Sequence, residues 1–235
     1  MGMTDPYIKS YLVGGAVRDI LLGLTPHDMD YTVVAPSYAA MKFWLEDQRL
    51  TIIHEKEDFG LIKARKDGDV ADFMLARKEG PYSDHRHPDW VNVGSLEDDL
   101  RRRDFTINAM ARDDDGNIID MFQGEKHLDA GILVAVGNPL DRLREDPLRA
   151  FRAIRFAVTK GMRIEHDLHY AMQNEEVLGW MTATSTERIR EEMTKAFAFD
   201  TVGTMLLLAD YRELLDIMVS RGVWLKPVVE KVKGN

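Results

Sequence analysis

The chain has no cysteine among its 235 residues, which excludes a disulfide framework and any thiolate metal site. No apolar run approaches the roughly 20 residues that a membrane-spanning helix needs. The opening MGMTDPYIKS lacks the charged-then-apolar layout of a secretory leader, so no membrane partner is expected and a cytoplasmic location is the default. A basic surplus is also missing. The 40 acidic side chains against 31 basic ones give a formal net charge of −9, which argues against a generic nucleic-acid binder. What positive charge exists is gathered at Arg101, Arg102 and Arg103, and again at Arg142, Arg144, Arg149, Arg152 and Arg155. A cleft lined by these would attract phosphate inside an acidic envelope, so any polynucleotide contact should be narrow and substrate-specific. The sequence shows neither repeats nor low-complexity segments, and its 45% hydrophobic content suffices for one large domain or two modest ones.

The stretch from Tyr11 to Val34, YLVGGAVRDILLGLTPHDMDYTVV, carries the most information. Its apolar run ending at Val13 predicts a short strand that delivers Gly14 and Gly15 into a tight turn. Glycine lets the backbone approach a bulky anion and tolerates positive φ. A helix from about Ala16 to Leu22 should follow, its first amides available to phosphate oxygens, with Arg18 adding a forked contact to the same anion. Met29, Tyr31 and Val33 alternate with Asp28, Asp30 and Thr32, as in a strand, so Asp28 and Asp30 project from one face. Paired hard oxygen ligands beside a phosphate cradle are what a catalytic Mg²⁺ requires, and together these parts describe nucleotidyl transfer. Asp72, on another predicted strand, is a candidate third carboxylate or an ordinary exposed strand acid.

The remaining pattern is α/β first and helical afterwards. Ser37 should cap a helix to about Asp47 with Ala39, Ala40, Phe43 and Trp44 on one side. Thr51 to His54, Leu61 to Arg65 and Val70 to Leu75 read as strands, the last two joined by the hairpin signal Asp67-Gly68. Glu79 to Ser95 is a long polar loop of the kind that is functional or mobile. Within it, His85, His87, Asp84 and Asp89 could mimic a metal cluster, but a polar loop is the simpler reading. Helical pattern returns from Leu96 to Met110, followed by a strand-turn-strand around Asp114 to Asn117. Asp141 to Val158, Asp167 to Glu176, Thr186 to Phe199 and Thr201 to Val219 are then helical, with the methionines from Met162 to Met218 as core filler. Trp180 reads as a buried residue rather than a stacking platform. The domain boundary is expected near Gly137 to Leu140.

Two further strings carry chemistry. In LRRRDFTINA, Leu100 to Ala109, Arg102 and Arg103 alone would be surface charges; beside a triphosphate they supply forked donors that lysine cannot imitate. Asp104 can accept a ribose hydroxyl, and Asn108, four residues on, can lock the local turn. In EDPLRAFRAIRF, Glu145 to Phe156, Pro147 suits a first helical turn and Leu148, Phe151 and Ile154 make a core-facing stripe. Asp146 and Arg149, three apart, are neighbours on a helix. A carboxylate accepts from an exocyclic amino group while a guanidinium donates to the adjacent ring nitrogen. Cytosine and adenine present that pattern on their pairing edge; guanine and uracil present the inverse. Mismatches of this kind discriminate by about 10⁴-fold or more.

The motifs GGAVRDILLG…DMD, RRDFTINAMA and EDPLRAFRAIRF resemble, in order and spacing, the head and neck motifs of class II tRNA nucleotidyltransferases. These are the CCA-adding enzymes of the polymerase-beta-like superfamily, which also holds bacterial poly(A) polymerases. The resemblance runs from about Tyr11 to Ala198 and implies an α+β fold: a nucleotidyltransferase head of mixed sheet and flanking helices, residues 1–137, and an all-helical neck with a truncated body, residues 138–235. It implies catalytic metals (two Mg²⁺) at Asp28 and Asp30, with Asp72 as a further candidate. Triphosphate and ribose contacts would come from Gly14, Gly15, Arg18, Arg103, Asp104 and Asn108. Asp146 and Arg149 would template the incoming base, with Arg152, Arg155, Glu187 and Arg188 in support. Asp120 to Gly124 looks like the hinge between head and neck, and Arg77 to Leu96 like the flexible element used in switching from C to A.

The activity so implied is template-independent addition of CMP and AMP from CTP and ATP to a tRNA 3′ end. Alternatives are a partial activity (CC-only or A-only), poly(A) polymerization, or an inactive RNA-binding remnant. The departure is C-terminal: the family normally continues into body and tail domains, whereas here a short stretch follows Ala198 and ends in the basic Lys226 to Lys233, without a His-Asp phosphohydrolase segment. A homodimer, or a compact grip on the acceptor stem alone, would substitute for the missing parts.

Overall fold

The computed structural model describes residues 7–66 and 68–223; the Lys226 to Lys233 stretch and Asp67 of the expected hairpin lie outside the described residues. The head opens with β1 (Lys9–Val13), α1 (Gly15–Leu21), β2 (Met29–Val34), α2 (Tyr38–Asp47), β3 (Thr51–Lys56), β4 (Leu61–Lys66) and β5 (Asp69–Leu75). The short strands β6 (Arg77–Glu79) and β7 (Val91–Val93), then α3 (Leu96–Arg101), β8 (Met110–Arg112) and β9 (Ile118–Asp120), complete its sheet region. Seven strands form one sheet in the order β3-β4-β5-β2-β1-β8-β9. Within it β2 and β5 run parallel while the other neighbours are antiparallel. The register sets Asp30 directly beside Asp72.

The two faces of the sheet are held differently. On one, Val33, Ile62 and Phe73 pack with Met41 and Leu45 of α2, whose start is capped by Ser37 accepting from the Ala40 amide at 3.1 Å. Met41 and Leu45, one turn apart, are the buried pair; of the expected set Ala40 and Trp44 pack half-buried against the same cluster, while Ala39 is exposed and Phe43 is 70% exposed. On the other face, the Thr32 hydroxyl donates to the wholly buried Asp99 of α3 at 2.9 Å. Asp30 lies two residues before Thr32 on the same side, which aims it toward the end of α3.

The helix expected from Leu96 to Met110 stops at Arg101. Phe105 is extended and bridges Ala135, the Thr106 amide donates to the Val134 carbonyl at 2.9 Å and the Val136 amide to the Asp104 carbonyl at 3.1 Å. Pairing with residues 134–136 thus overrides the helical pattern, and a single tight turn at Thr106–Asn108 leads into β8. The long loop is also more ordered than expected, because β6 and β7 pair at its base.

The chain continues through α4 (Gly124–Asp129), β10 (Ile132–Leu133), α5 (Pro139–Glu145), α6 (Leu148–Lys160), β11 (Arg163–Ile164), α7 (His166–Met172), α8 (Glu175–Trp180), α9 (Thr186–Phe199), α10 (Thr201–Ala209) and α11 (Arg212–Ser220). Asn138 caps α5, at the point where the sequence changes character. The helix expected from Asp141 to Val158 is two, broken at Asp146, which is extended. Proline disfavours helical geometry in the residue before it, and Pro147 then starts α6. Similar breaks at Asn174, a cap for α8, and at Tyr211 divide the later helices. One apolar cluster runs from Leu12, Val17 and Phe105 through Phe151 and Ile154 to Ile189, Met193 and Leu214. Parallel pairing of β10 with β11 adds a backbone tie between residues on either side of Gly137. Among the described residues no helix is long and apolar enough to cross a membrane.

Candidate active site

The β1–α1 turn is built for close approach. Gly14 has φ +70, and a Cβ on it would lie 2.7 Å from Arg103 Nη1, so only glycine lets that guanidinium settle against the turn. Arg18, one turn into α1, is buried and largely committed. Its Nη1 donates to Asn108 Oδ1 at 2.5 Å and its Nε to Asp19 Oδ1 at 2.9 Å.

Asp30 is the second residue of β2, and Asp28, expected within the strand, sits in the bend just before it; both line the cleft. Desolvation by the walls around Asp30, then Asp72, raise its carboxyl above the ordinary carboxylate range; Arg103 opposes them, Asp28 adds to the rise, and Lys63 opposes again. Burial is the largest of these effects and the two neighbouring acids add to it, so the ionized Asp30 is left short of compensating charge, which a divalent ion would supply. Asp72 is in reach of this group but is ion-paired to Lys63 at 3.0 Å. Among the described residues no three acidic or histidine side chains form a ready-made metal cage. Mg²⁺ suits such a site because it takes one or two carboxylates and completes its shell with water and substrate phosphates.

Arg103 and Asp104 sit at the end of α3. Arg103 Nη2 donates to Asp99 at 3.1 Å and its Nη1 to the Asn108 carbonyl at 3.3 Å, while its buried Nε has no partner among the described residues. Asp104 Oδ2 accepts from Arg152 Nε at 2.9 Å and Nη2 at 2.6 Å; Oδ1 accepts from Asn108 Nδ2 at 3.0 Å and the Phe105 amide at 2.8 Å. Burial works to raise the Asp104 pKa, but the Arg152 charge, the Asn108 amide and the Arg152 hydrogen bonds outweigh it and hold it down to about 2. Four donors fill the acceptor capacity of one carboxylate, so a ribose hydroxyl must displace one of them to bond here.

The base-selecting candidates lie where α5 ends. Asp146 accepts from Arg188 through both guanidinium nitrogens, at 2.6 and 3.3 Å. Arg149 is nine-tenths buried: Nη1 donates to Glu145 at 2.7 Å and the Arg142 carbonyl at 2.9 Å, and Nη2 to the Arg102 carbonyl at 2.8 Å. Its Nε hydrogen and one Nη2 hydrogen remain uncommitted among the described residues. The two side chains do not bond to each other; each is held by others. Glu187 is exposed and, among the described residues, meets only Arg190, at 3.9 Å. The supporting acid is instead Glu192, buried and shared between Arg152, at 3.3 Å, and Arg155. Sequence reading passed over it, although it stands in helical step with Arg188, four residues later. Asp99, which fixes both Arg102 and Arg103, was likewise missed; its spacing of three and four residues before them was the available signal.

In the long loop, His87 pairs with Asp84 at 2.8 Å and Ser83 with Asp89 at 2.7 Å. His85 stacks on Trp180 with centroids 5.1 Å apart, so Trp180 is a platform for a side chain of this loop.

Gly14, Gly15, Arg18, Asp28, Asp30, Arg103, Asp104, Asn108, Asp146, Arg149, Arg152, Arg155 and Arg188 all line one cleft of about 950 Å³. Asp72 faces an adjoining cavity that also reaches Asp28 and Asp30, and Glu187 lines neither cleft nor cavity. A sheet bearing paired acids beside a glycine turn, closed by helices that carry an Asp-Arg pair, can be compared with known proteins. Residues 10–134 match the family model for the poly A polymerase head domain. The chain belongs to that family. A CCA-adding enzyme of Ligilactobacillus salivarius is 40% identical over 188 residues, 80% of this chain and 45% of the relative. Among solved structures, the Bacillus stearothermophilus CCA-adding enzyme in complex with CTP is 33% identical with a TM-score of 0.70, covering 82% of this chain and 45% of that one. The Thermotoga maritima CCA-adding enzyme complexed with tRNA is 25% identical with a TM-score of 0.73, covering 94% and 50%. This member of the poly A polymerase head family therefore spans about half the length of the relatives it matches.

Proposed function

We propose that the protein adds CMP and AMP, from CTP and ATP, to the 3′ end of tRNA without a nucleic-acid template. The observation that carries the reading is that one cleft is lined by both the Asp28/Asp30 acids and the Asp146/Arg149 pair. Transfer chemistry and base selection then act on the same nucleotide. The names of its relatives, and the CTP and tRNA bound by two of them, support the same substrates.

Asp28 and Asp30 would hold Mg²⁺, with Asp72 close enough to contribute charge. When bound, the metal lowers the pKa of the attacking 3′-hydroxyl and neutralizes charge on the triphosphate. The chain's own residues bind and orient. The Gly14–Gly15 turn admits the triphosphate, and Arg103, lying against that turn, donates to its oxygens. Asp104 fixes Arg152 toward the cleft. Asp146, held by Arg188, accepts from the exocyclic amino group of C or A, and the free Arg149 donors meet the adjacent ring nitrogen.

Incubating the purified protein with tRNA lacking CCA, and with each labelled nucleotide singly and combined, tests this. CTP and ATP should be incorporated in order, and product length separates full CCA addition from CC-only, A-only or poly(A) products. Incorporation of GTP or UTP as readily as CTP would defeat the base-selecting assignment. Stoichiometric tRNA binding without turnover would replace the enzyme by an RNA-binding remnant.

A further inference from the structure

The cleft continues past the groups that the reaction uses. Arg188, Glu192, Lys195 and Phe199 follow one another at steps of four, three and four residues, which is a single stripe of α9. At about 1.5 Å per residue, Phe199 stands roughly 16 Å along the helix from Arg188. Lys195 and Phe199 both line the cleft, yet neither has an assigned part. Lys195 is exposed and makes no ion pair among the described residues, unlike Lys160 across the cleft, which holds Asp19 at 3.2 Å. Phe199 leaves 65% of its surface open. The deeper aromatic, Phe156, is buried beneath guanidinium groups, with Arg155 4.1 Å above its ring, and has no open face for a ligand.

An open phenyl one turn from an unpaired ammonium, at the mouth of a phosphate-attracting cleft, is the chemistry that single-stranded nucleic acid takes: a base stacks on the ring and a phosphate meets the cation. We infer that Phe199 and Lys195 form a landing for the unpaired 3′-terminal nucleotides of the RNA acceptor, delivering them to the acid pair. The inference rests on the transferase reading for the identity of the acceptor, but its binding step is testable without turnover. The exposed Val202, Met205 and Leu206 of α10 lie outside the cleft lining, and their association with another protein is the competing explanation for an open Phe199.

The test is titration of the full chain against a fluorescently labelled RNA hairpin with a single-stranded 3′ overhang, and against the same hairpin blunt-ended, with no nucleotide present. Phe199→Ala should weaken overhang binding by about 5- to 150-fold, the range carried by one base–aromatic stack, and leave blunt binding unchanged. Phe199→Trp should restore it and Phe199→Leu should not. Lys195→Ala should lower the slope of log affinity against log salt by about one phosphate's worth, roughly 0.7 for a single strand. In turnover assays the KM for RNA should rise while that for CTP stays fixed. Overhang binding equal to wild type in Phe199→Ala, recovery in Phe199→Leu, or a change of oligomeric state in Phe199→Ala by light scattering would each overturn the proposal. Wild-type overhang binding that depends on Phe199 without nucleotide incorporation would uphold the landing and sink the transferase reading instead.

Discussion

Arg188 of α9 grips Asp146 with both ends of its guanidinium, Nη2 to Oδ2 at 2.6 Å and Nη1 to Oδ1 at 3.3 Å. The grip matters because Asp146 lies in the break between α5 and α6, where the backbone reaches its side chain only through the Leu148 amide, 3.2 Å from Oδ1. Lysine cannot reproduce the fork. Arg188→Lys should therefore lower kcat/KM for CTP by about 10- to 100-fold, the worth of a charge-assisted hydrogen bond. UTP should lose less, so that selectivity narrows. Steady-state kinetics with the four nucleotides checks this, and unchanged discrimination would remove Arg188 from base selection.

Gly14→Ala should impair the triphosphate end without touching the base end. Its φ of +70 is hostile to a side chain, and the new Cβ would meet Arg103 Nη1 at 2.7 Å. Backbone strain of this kind costs about 1–3 kcal/mol, seen as a lowered Tm. Displacement of Arg103 should raise the KM for both CTP and ATP while their ratio is kept. A KM unaffected in a variant that still folds would separate Arg103 from the nucleotide.

How much of this was legible beforehand divides along local and non-local lines. The glycine turn, the Asp28/Asp30 alternation, the Ser37 cap and the Asp-Gly hairpin are short-range signals, and β1, α1, β2, α2, β4 and β5 follow them. The misplaced helix from Leu96 to Met110 was lost to a non-local pairing, Phe105 with Ala135, which no window of sequence displays. The chemistry of Asp104 alone suggests a free acceptor; only the fold brings Arg152, 48 residues away, onto it. Glu187 and Glu192 both stand in the acidic start of α9, and the helical phase decides between them: Glu192 shares the face of Arg188 and Lys195, whereas Glu187 points to solvent.

The Asp104–Arg152 pair gives a pH prediction. Asp104 is held at about 2 against an ordinary 3.8, so its ionized form is favoured by folding. Its contribution is complete above the ordinary value and is lost as pH falls through about 2. Asp104→Asn leaves Arg152 without its bidentate partner and should cost about 3 kcal/mol at pH 6. That gap should narrow as pH drops below 4. Urea unfolding of both proteins between pH 6 and pH 2.5 provides the comparison; a gap that stays constant would mean that the pairing charge contributes nothing.

The last prediction concerns the docking of the long loop on the neck. His85 has φ 57, a conformation unfavourable for a side-chain-bearing residue. It is held there by stacking on Trp180 and by Nδ1, 2.6 Å from the Arg144 carbonyl. A carbonyl only accepts, so Nδ1 carries the proton. The Arg144 guanidinium covers Trp180 as well, 5.1 Å from the ring. Arg144 lies in α5 and Trp180 ends α8, so the latch ties the loop's tip to helices on both sides of Asp146. Removing the ring in His85→Ala should free the tip by about 1 kcal/mol, the scale of one aromatic pair. Amide hydrogen exchange across residues 82–90 should then quicken by about 5-fold, while α6 and α9 stay protected. Unchanged exchange in the loop would show that the base strands β6 and β7, and not the stack, set its position.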